Sequence, residues 1–201
     1  MRSIYKLVVC SLLTLSITSC EKDLLDKEQY QKEIYLIGAY NRVWTTEVSY
    51  SNEEVKTYFT VSSSGTLALD RDVNVKMKIN EELVDIYNKK YWTVLNEDKY
   101  YKSLDTDLYS IPSLENTVIK HAEGISAEVP VLIKTASLKI DQSYVIPVEI
   151  ESTTGYPIST SGCKMLVLLK LKNDYSGNYQ MSGHTTLEGE TPKTIQKPKT
   201  I

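Results

Sequence analysis

The sequence predicts a mostly β protein, an antiparallel β-sandwich with one short inserted helix. Three observations lead to this prediction. Short stretches of alternating apolar and polar residues recur about every ten residues, the spacing typical of strands in a sandwich. Turn-forming residues separate these stretches, and one segment between two of them has the charge pattern of a helix.

The clearest strand spans residues 73–79, where valine, methionine and isoleucine alternate with asparagine and lysine. One face of this strand is therefore buried and the other faces water. The same alternation predicts further strands at residues 55–61, 129–133, 144–150 and 165–171, and a short apolar run predicts a first strand at residues 34–37. Pro130 lies opposite the apolar face of its strand, and because proline cannot donate a ladder hydrogen bond, we expect this strand at an edge or a bulge.

The inserted helix is predicted over Glu81 to Lys89, directly after the clearest strand. Asn80 is a suitable capping residue. Acidic residues occupy the first turn and lysines the last, and both placements favour the helix dipole. Leu83, Val84 and Tyr87 recur on one side of the helix, which we expect to face inwards.

The N-terminus has the pattern of a secretory signal peptide, with basic residues before a short apolar run at Leu7–Leu15. The run is too short to span a membrane. Ile17-Thr18-Ser19-Cys20 then resembles a bacterial lipobox, and that resemblance implies cleavage before Cys20 and its lipidation. Cleavage by an ordinary signal peptidase, with this cysteine incidental, is the alternative. Residues 1–19 are thus predicted to be the signal peptide, and the mostly charged residues 20–33 a tether.

Composition excludes several classes of function. The net charge is −3 and the pI is about 5.5, so the chain lacks the basic surplus of nucleic-acid-binding proteins. No later stretch approaches the roughly 20 apolar residues of a membrane span, so the membrane is reached only through lipid on Cys20. Cys163 is the one cysteine left after processing and lipidation, which excludes an internal disulfide. Fifteen tyrosines suit half-buried strands and sugar-binding surfaces alike.

A family resemblance rests on four short motifs, namely Val73-Asn74-Val75, Asn80 to Asn88, Val94-Leu95 and Tyr144 to Val148. With them, residues 34–172 resemble the DUF1735 N-terminal domain of Bacteroides surface lipoproteins. Asn96 stands where the family often has proline. The resemblance implies an immunoglobulin-like sandwich, which agrees with the strand pattern. It also implies membership of a gene cluster for the capture and degradation of glycans at the cell surface.

Residues 173–201 depart from the sandwich pattern. Asp174 to Gly183 resembles the first strand of a DUF4361-type domain, whereas Thr191 to Ile201 has no core pattern. This part is predicted either to begin a second, truncated domain or to be a disordered tail. The acidic residues after Cys20 resemble an export signal of surface lipoproteins. That resemblance implies lipid anchoring in the outer membrane, facing the cell exterior.

Catalytic patterns are sparse in this sequence. Glu149 and Glu151 share a strand face, which we interpret as solvated rather than as the acid–base pair of a glycosidase. No nucleophile elbow, phosphate-binding glycine loop or clustered set of metal ligands occurs. We therefore expect no enzymatic activity, no cofactor and no metal.

Aromatic side chains are the remaining candidates for a binding site, because sugar rings stack on aromatic faces. Trp44, with Tyr40 and Asn41 close to it, suits a glycan platform but also a core position. Tyr91 matches a core position of the family. Its neighbour Trp92 should then point outwards and is the better platform.

These observations predict a lipid-anchored surface protein that binds a polysaccharide or oligosaccharide without cleaving it. The resemblance adds an outer-membrane glycan transporter as a further expected partner, and the charge excludes nucleic acid. The alternative is a structural one. In it the immunoglobulin-like domain is a spacer that presents a downstream domain and has no ligand of its own.

Overall fold

The structure, a computed structural model, describes residues 27–173, 175–185 and 193–200. The predicted signal peptide, Cys20 and the first part of the tether lie outside these residues. Most of the described chain forms two β-sheets that pack face to face around one core. This arrangement confirms the predicted fold class. None of the described helices is both long enough and apolar enough to cross a membrane.

Within the described residues, ten strands form the two sheets, namely β1 (Ile34–Leu36), β2 (Val43–Ser49), β3 (Glu54–Ser63), β4 (Val73–Ile79), β5 (Lys102–Ser103), β6 (Tyr109–Ser110), β7 (Thr117–Ile119), β8 (Ser126–Lys134), β9 (Tyr144–Thr153) and β10 (Lys164–Lys172). Sheet one has the strand order β1-β3-β8-β6. Sheet two has the order β2-β10-β9-β4-β7, with β5 beside the first residues of β9. The helix α1 (Glu82–Tyr91) follows β4.

The core fills the space between the sheets. Its fully buried side chains come from alternate positions of both sheets, namely Val73, Val75, Phe59, Val61, Val129, Val131, Ile133, Ile146, Val148 and Val167. These are the positions that the alternation in the sequence assigned to the apolar faces. Burial of each such side chain contributes about 1.5–3 kcal/mol, so the sandwich rests on this layer.

The chain changes sheet between β1 and β2. β1 pairs antiparallel with β3, and β2 pairs parallel with β10. Gly38, at φ 89°, begins this crossing, a 3-10 turn at Ala39–Asn41 continues it, and Arg42, at φ 62°, ends it. A Cβ at position 38 would lie 2.7 Å from Cε3 of Trp44. Glycine is therefore required there both for the backbone conformation and for space.

Helix α1 packs on the outer face of sheet two. Val84 is buried with Val145 and Leu166, and Leu83 and Tyr87 are half-buried around them, as the predicted inward face requires. The helix extends two residues beyond the predicted end. The predicted cap is present, because the side-chain carbonyl of Asn80 accepts a hydrogen bond from the Glu82 N–H at 3.2 Å.

Two prolines lie where a strand has no neighbour for their missing N–H. Pro130 was expected at an edge or a bulge. Its strand β8 lies between β3 and β6, but β6 pairs only with Leu132 and Ile133, so Pro130 has a locally open edge. Pro147 lies in the central strand β9, where pairing with β5 has ended at Val145 and pairing with β4 begins at Val148.

Two further strands follow the sandwich, β11 (Asn178–Thr185) and β12 (Lys193–Thr200), which pair antiparallel as a separate sheet. The strand expected near Asp174 to Gly183 is thus present in shifted form. Residues 193–200 are paired along their backbone, and their described side chains are exposed. Pro198 is tolerated since each strand of a two-stranded sheet has a free edge.

Residues 27–33, expected to be part of a tether, lie against the loop between β3 and β4. The Glu28 carboxylate accepts a hydrogen bond from the Thr66 N–H at 2.5 Å, and Lys32 donates to the Leu67 carbonyl at 2.6 Å. Lys32 also donates a hydrogen bond to the Glu28 carboxylate. This bond, together with that from Thr66, lowers the pKa of Glu28 to about 2. This part of the chain is therefore attached to the sandwich surface.

We expect Gly38→Ala to destabilise the sandwich more than Gly155→Ala. The two glycines have similar φ angles, 89° and 86°, so alanine meets similar backbone strain at both. At Gly155 the new methyl group would lie 3.2 Å from Cδ of Arg71, a flexible side chain, whereas at Gly38 it would meet the Trp44 ring. Overpacking should add about 1–3 kcal/mol to the loss in unfolding free energy, measured in urea. Equal losses would contradict the packing role of Gly38.

Candidate functional site

A shallow recess lies between α1 and the beginning of β10. We call it the aromatic groove and define it by Arg42, Ile86, Tyr87, Lys90, Tyr91 and Lys164. It encloses about 50 Å³. Since a water molecule needs about 10–15 Å³ measured in this way, the groove has room for about three to five such groups. It can therefore hold a substituent of a ligand, while the rest of the ligand lies on the surface.

Three tyrosine rings stack beside α1. Tyr87 and Tyr101 lie almost parallel, with ring centroids 5.1 Å apart and planes at 11°. Tyr91 leans on Tyr87 at 4.5 Å and 36°, and it is 48% exposed. Burial, with a contribution from Tyr101, raises the pKa of Tyr87 to about 12. The inner ring is thus neutral and immobilised, and it supports an outer ring that is open to solvent.

A buried amide holds the tyrosine stack in place. Asn88, on α1, is only 5% exposed. Its Nδ2 donates to the Tyr101 carbonyl at 2.9 Å, and its Oδ1 accepts from the Tyr101 N–H at 3.0 Å. The Asn88 side chain therefore pairs with the Tyr101 backbone as a neighbouring strand would. It fixes the segment that carries the Tyr101 ring against the helix.

The charged side chains that line the groove are all cationic. Lys164 forms an ion pair with Glu149 at 3.1 Å. The Lys90 ammonium lies 5.2 Å from the centroid of the Tyr91 ring. Among the described residues, neither Arg42 nor Lys90 forms an ion pair, and no acidic side chain lines the groove. The groove is thus a positive site on a chain whose net charge is −3.

Arg42 reaches this position through an unusual backbone conformation. Its φ of 62° and ψ of −16° lie in the left-handed region, which is uncommon for arginine. Such a conformation costs about 1–3 kcal/mol, and the surrounding structure must maintain it. The Arg42 carbonyl accepts a hydrogen bond from the Leu166 N–H at 2.8 Å, which ties the residue to β10. Backbone outliers of this kind often mark functional positions.

The predicted site residues near the N-terminus separate in the structure. Trp44 is half-buried, faces the core from β2 and packs against Gly38, which favours the core interpretation over the platform. Tyr40 is 74% exposed, and Asn41 beside it is exposed too. Both belong to the turn that leads directly into Arg42, and neither is among the residues that line the aromatic groove.

Tyr91 and Trp92 have environments opposite to those expected. Tyr91, expected in the core, is exposed because α1 continues through it. Trp92 is half-buried, since its extended backbone turns it back towards the protein. Its Nε1 is buried without a hydrogen-bond partner in the described part of the chain, and the Lys99 ammonium lies 5.7 Å from its ring centroid. Tyr91 is therefore the better placed of the two rings to meet a ligand.

Sequence reasoning missed most residues of the groove. The spacing of Tyr87 and Tyr91, four residues apart on one helix, is a signal that both rings lie on the same side. Lys164 of the groove and Tyr101 of the tyrosine stack gave no such signal, because only the tertiary fold brings them to the helix. Arg42 lies directly after Asn41, a predicted site residue, but its left-handed backbone cannot be anticipated from a non-glycine residue.

The two carboxylates on β9 each form an ion pair with a lysine. Glu149 was expected to face solvent, but its side chain is only 15% exposed. Burial raises its pKa, yet hydrogen bonds from Asn80, at 2.5 Å, and from Lys164 outweigh burial, so the pKa of Glu149 is lowered. The hydrogen bond from Lys76 likewise lowers the pKa of Glu151. Both groups are ionised at neutral pH, whereas a general acid needs a raised pKa.

Three wider clefts of about 430–530 Å³ open elsewhere on the described surface. Each is lined by at most one aromatic side chain, Tyr156 in one and Tyr144 in another. No group of metal-binding side chains occurs within the described ranges. The aromatic groove, by contrast, brings the exposed ring of Tyr91 together with three cationic side chains.

We expect Asn88→Ala to lower the free energy of unfolding by about 1–3 kcal/mol, because it leaves the N–H and carbonyl of Tyr101 without their buried partners. Urea unfolding at neutral pH measures this loss. Asn74→Ala is the control, because Asn74 lies on an exposed strand face and should change stability little. If the two variants lost the same amount, Asn88 would not organise this region.

We expect Glu149→Gln to make the protein less sensitive to acid. Because the pKa of Glu149 is lowered from its usual 4.5 in the folded state, its ionised form stabilises the fold above that pH. The stabilisation is lost as pH falls through the lowered pKa. The difference in urea stability between pH 7 and pH 3 should therefore shrink in this variant. Glu97→Gln, at an exposed position without an ion pair in the described residues, is the control variant.

Solved structures from Bacteroides share this fold. A multidomain protein including DUF1735 from Bacteroides ovatus is 20% identical, over 80% of this chain and 51% of that chain, with a TM-score of 0.57. A candidate carbohydrate-binding protein from the same species is 17% identical over 79% and 43%, with a TM-score of 0.52. An auxiliary nutrient binding protein from Bacteroides thetaiotaomicron is 16% identical over 81% and 56%, with a TM-score of 0.56.

At these identities the likeness shows the fold alone, and the chain spans about half the length of the structures it matches. No curated protein matches the chain significantly. Two family models do match, one for an N-terminal domain over residues 30–157 and one for a C-terminal domain over residues 163–201. The first covers more than half of the chain. The chain therefore belongs to the DUF1735-like family, as its motifs predicted.

Proposed function

We propose that this chain is a lipid-anchored cell-surface protein that binds a glycan and does not cleave it. The observation that carries the proposal is the exposed ring of Tyr91, held by the tyrosine stack at the edge of the aromatic groove. A sugar presents a flat C–H surface that stacks on such a ring. Because the supporting rings are fixed, little conformational entropy is lost when a ligand binds.

Polar groups beside the ring supply the remaining contacts. Arg42 and Lys90 line the groove, and Tyr40 and Asn41 lie on the turn that precedes Arg42. Sugar hydroxyls accept hydrogen bonds from Arg and Lys, and with an amide side chain they can both donate and accept. An aromatic surface with a few polar groups beside it is the usual composition of a site that binds a small polar ligand.

Similar folds give independent support. Two of the solved structures compared above are described as a candidate carbohydrate-binding protein and as an auxiliary nutrient binding protein. A non-catalytic role is supported by the lowered pKa values of Glu149 and Glu151, which suit ion pairs and not acid catalysis.

The proposed location rests on the sequence. The lipobox-like end of the signal peptide assigns lipid to Cys20, and the acidic residues that follow favour the outer face of the outer membrane. A glycan-binding protein there would concentrate its ligand near a glycan transporter of the same membrane, which we propose as its partner. Several acyl chains together give the stable anchoring that one chain does not.

A spacer function is the second candidate. It is favoured by the match of residues 163–201 to a model for a C-terminal domain, since the sandwich would then present that domain. In this case the sandwich would bind nothing, and the exposed ring of Tyr91 would have no ligand. Binding measurements on single variants distinguish the two functions.

We expect the chain from Glu21 onwards to be retarded in affinity gels by at least one polysaccharide from a panel of plant, host and microbial glycans. Tyr91→Ala should abolish the retardation, because it removes the exposed platform, at a cost of about 1–3 kcal/mol in binding. Tyr58→Ala is the matched control. Tyr58 is 51% exposed, compared with 48% for Tyr91, but it lies on β3 of sheet one.

Both variants must first show the urea midpoint of the unmodified chain. Retardation that Tyr58→Ala abolishes and Tyr91→Ala leaves intact would move the site to sheet one. No retardation by any polysaccharide would contradict glycan binding and favour the spacer function.

A further inference from the structure

We propose that the aromatic groove selects glycans that carry anionic groups, either carboxylate or sulfate. This inference rests on the proposed glycan binding and names the class of ligand for the same site. It follows from the charge of the groove, from its size and from the position of its cations relative to the exposed ring.

The charge of the groove is unbalanced. Arg42, Lys90 and Lys164 line one small recess, and only Lys164 has a carboxylate partner, Glu149. Cations gathered in one recess repel one another, and each also favours an anion nearby. A chain with a net charge of −3 has acidic side chains available for pairing, yet none lines this groove. An anionic ligand would supply the missing charge.

The size of the groove suits a substituent and not a whole sugar ring. Its volume of about 50 Å³ has room for about three to five water-sized groups, which matches a carboxylate or a sulfate. The Lys90 ammonium lies 5.2 Å from the Tyr91 ring centroid. A sugar stacked on this ring would therefore place a charged substituent within reach of the cation.

Arg42 supplies the geometry that a point charge lacks. Its planar guanidinium binds carboxylate or sulfate oxygens through two parallel hydrogen bonds. The hydrogen bond between its carbonyl and the Leu166 N–H fixes the residue at the groove, at the cost of a left-handed backbone. A cation that is held in a strained conformation and left without an ion pair is well suited to bind an external anion.

The test compares polymers that differ only in charge, using the chain from Glu21 onwards. Polygalacturonate is compared with its methyl-esterified form, and dextran sulfate with dextran, so the first pair tests carboxylate and the second tests sulfate. We expect at least one charged polymer to bind about tenfold more tightly than its neutral counterpart, with the difference falling as salt rises.

Variants locate the effect. Lys90→Gln should reduce binding of the charged polymer about tenfold and reduce binding of the neutral one much less. Arg42→Asn should do the same, and asparagine tolerates the left-handed backbone. Lys56→Gln is the control, since Lys56 is an exposed lysine on β3, in the other sheet.

Three outcomes would overturn the inference. Equal binding of charged and neutral polymers, abolished by Tyr91→Ala, would remove the charge preference but retain glycan binding. A charge preference that Lys56→Gln reduces as much as Lys90→Gln does would show diffuse electrostatic attraction and no site. A folded protein that binds neither these polymers nor any glycan of the wider panel would overturn the proposed function as well.

Discussion

Sheet two is completed by the parallel pairing of β2 with β10, which runs from Val43 opposite Leu166 to Ser49 opposite Lys172. This pairing requires the chain to leave sheet one after β1 and to cross the sandwich within five residues, Gly38 to Arg42. The crossing is sharp, so both of its end residues have positive φ angles. The same crossing brings Arg42 to the beginning of β10, where the aromatic groove lies.

The outer face of sheet two divides into two regions. At the beginning of β10, α1 covers Val145 and Leu166 and carries the tyrosine stack. Beside it, ion pairs cover the sheet, and among them Lys164 joins Glu149 to the edge of the groove. Apolar packing thus holds the helix on the sheet, while the carboxylates of the sheet form ion pairs with lysines. Arg42 and Lys90, which form no ion pair among the described residues, line the groove.

Sequence reasoning succeeded where local pattern determines structure. Alternation identified the buried face of residues 73–79, and the order of Asn80, acidic residues and lysines identified α1. It failed where distant segments meet. The exposure of Tyr91 and the burial of Trp92 depend on where α1 ends, and helix ends are the least predictable feature of a sequence pattern. Strand β12 has no apolar face, so its pairing with β11 left no signal in the sequence.

The direction of β10 bears on the choice between a binding protein and a spacer. The groove lies at Lys164, where β10 begins, and the chain leaves the sandwich after Lys172, where β10 ends. Eight residue steps of about 3.3 Å place these two points about 26 Å apart. Whatever follows β10 is therefore attached at the end of the strand opposite to the groove. A domain presented from that end leaves Tyr91 free for a ligand, so a glycan-binding sandwich can also carry a following domain. Retention of glycan binding in a chain that also carries a following domain is what this geometry predicts.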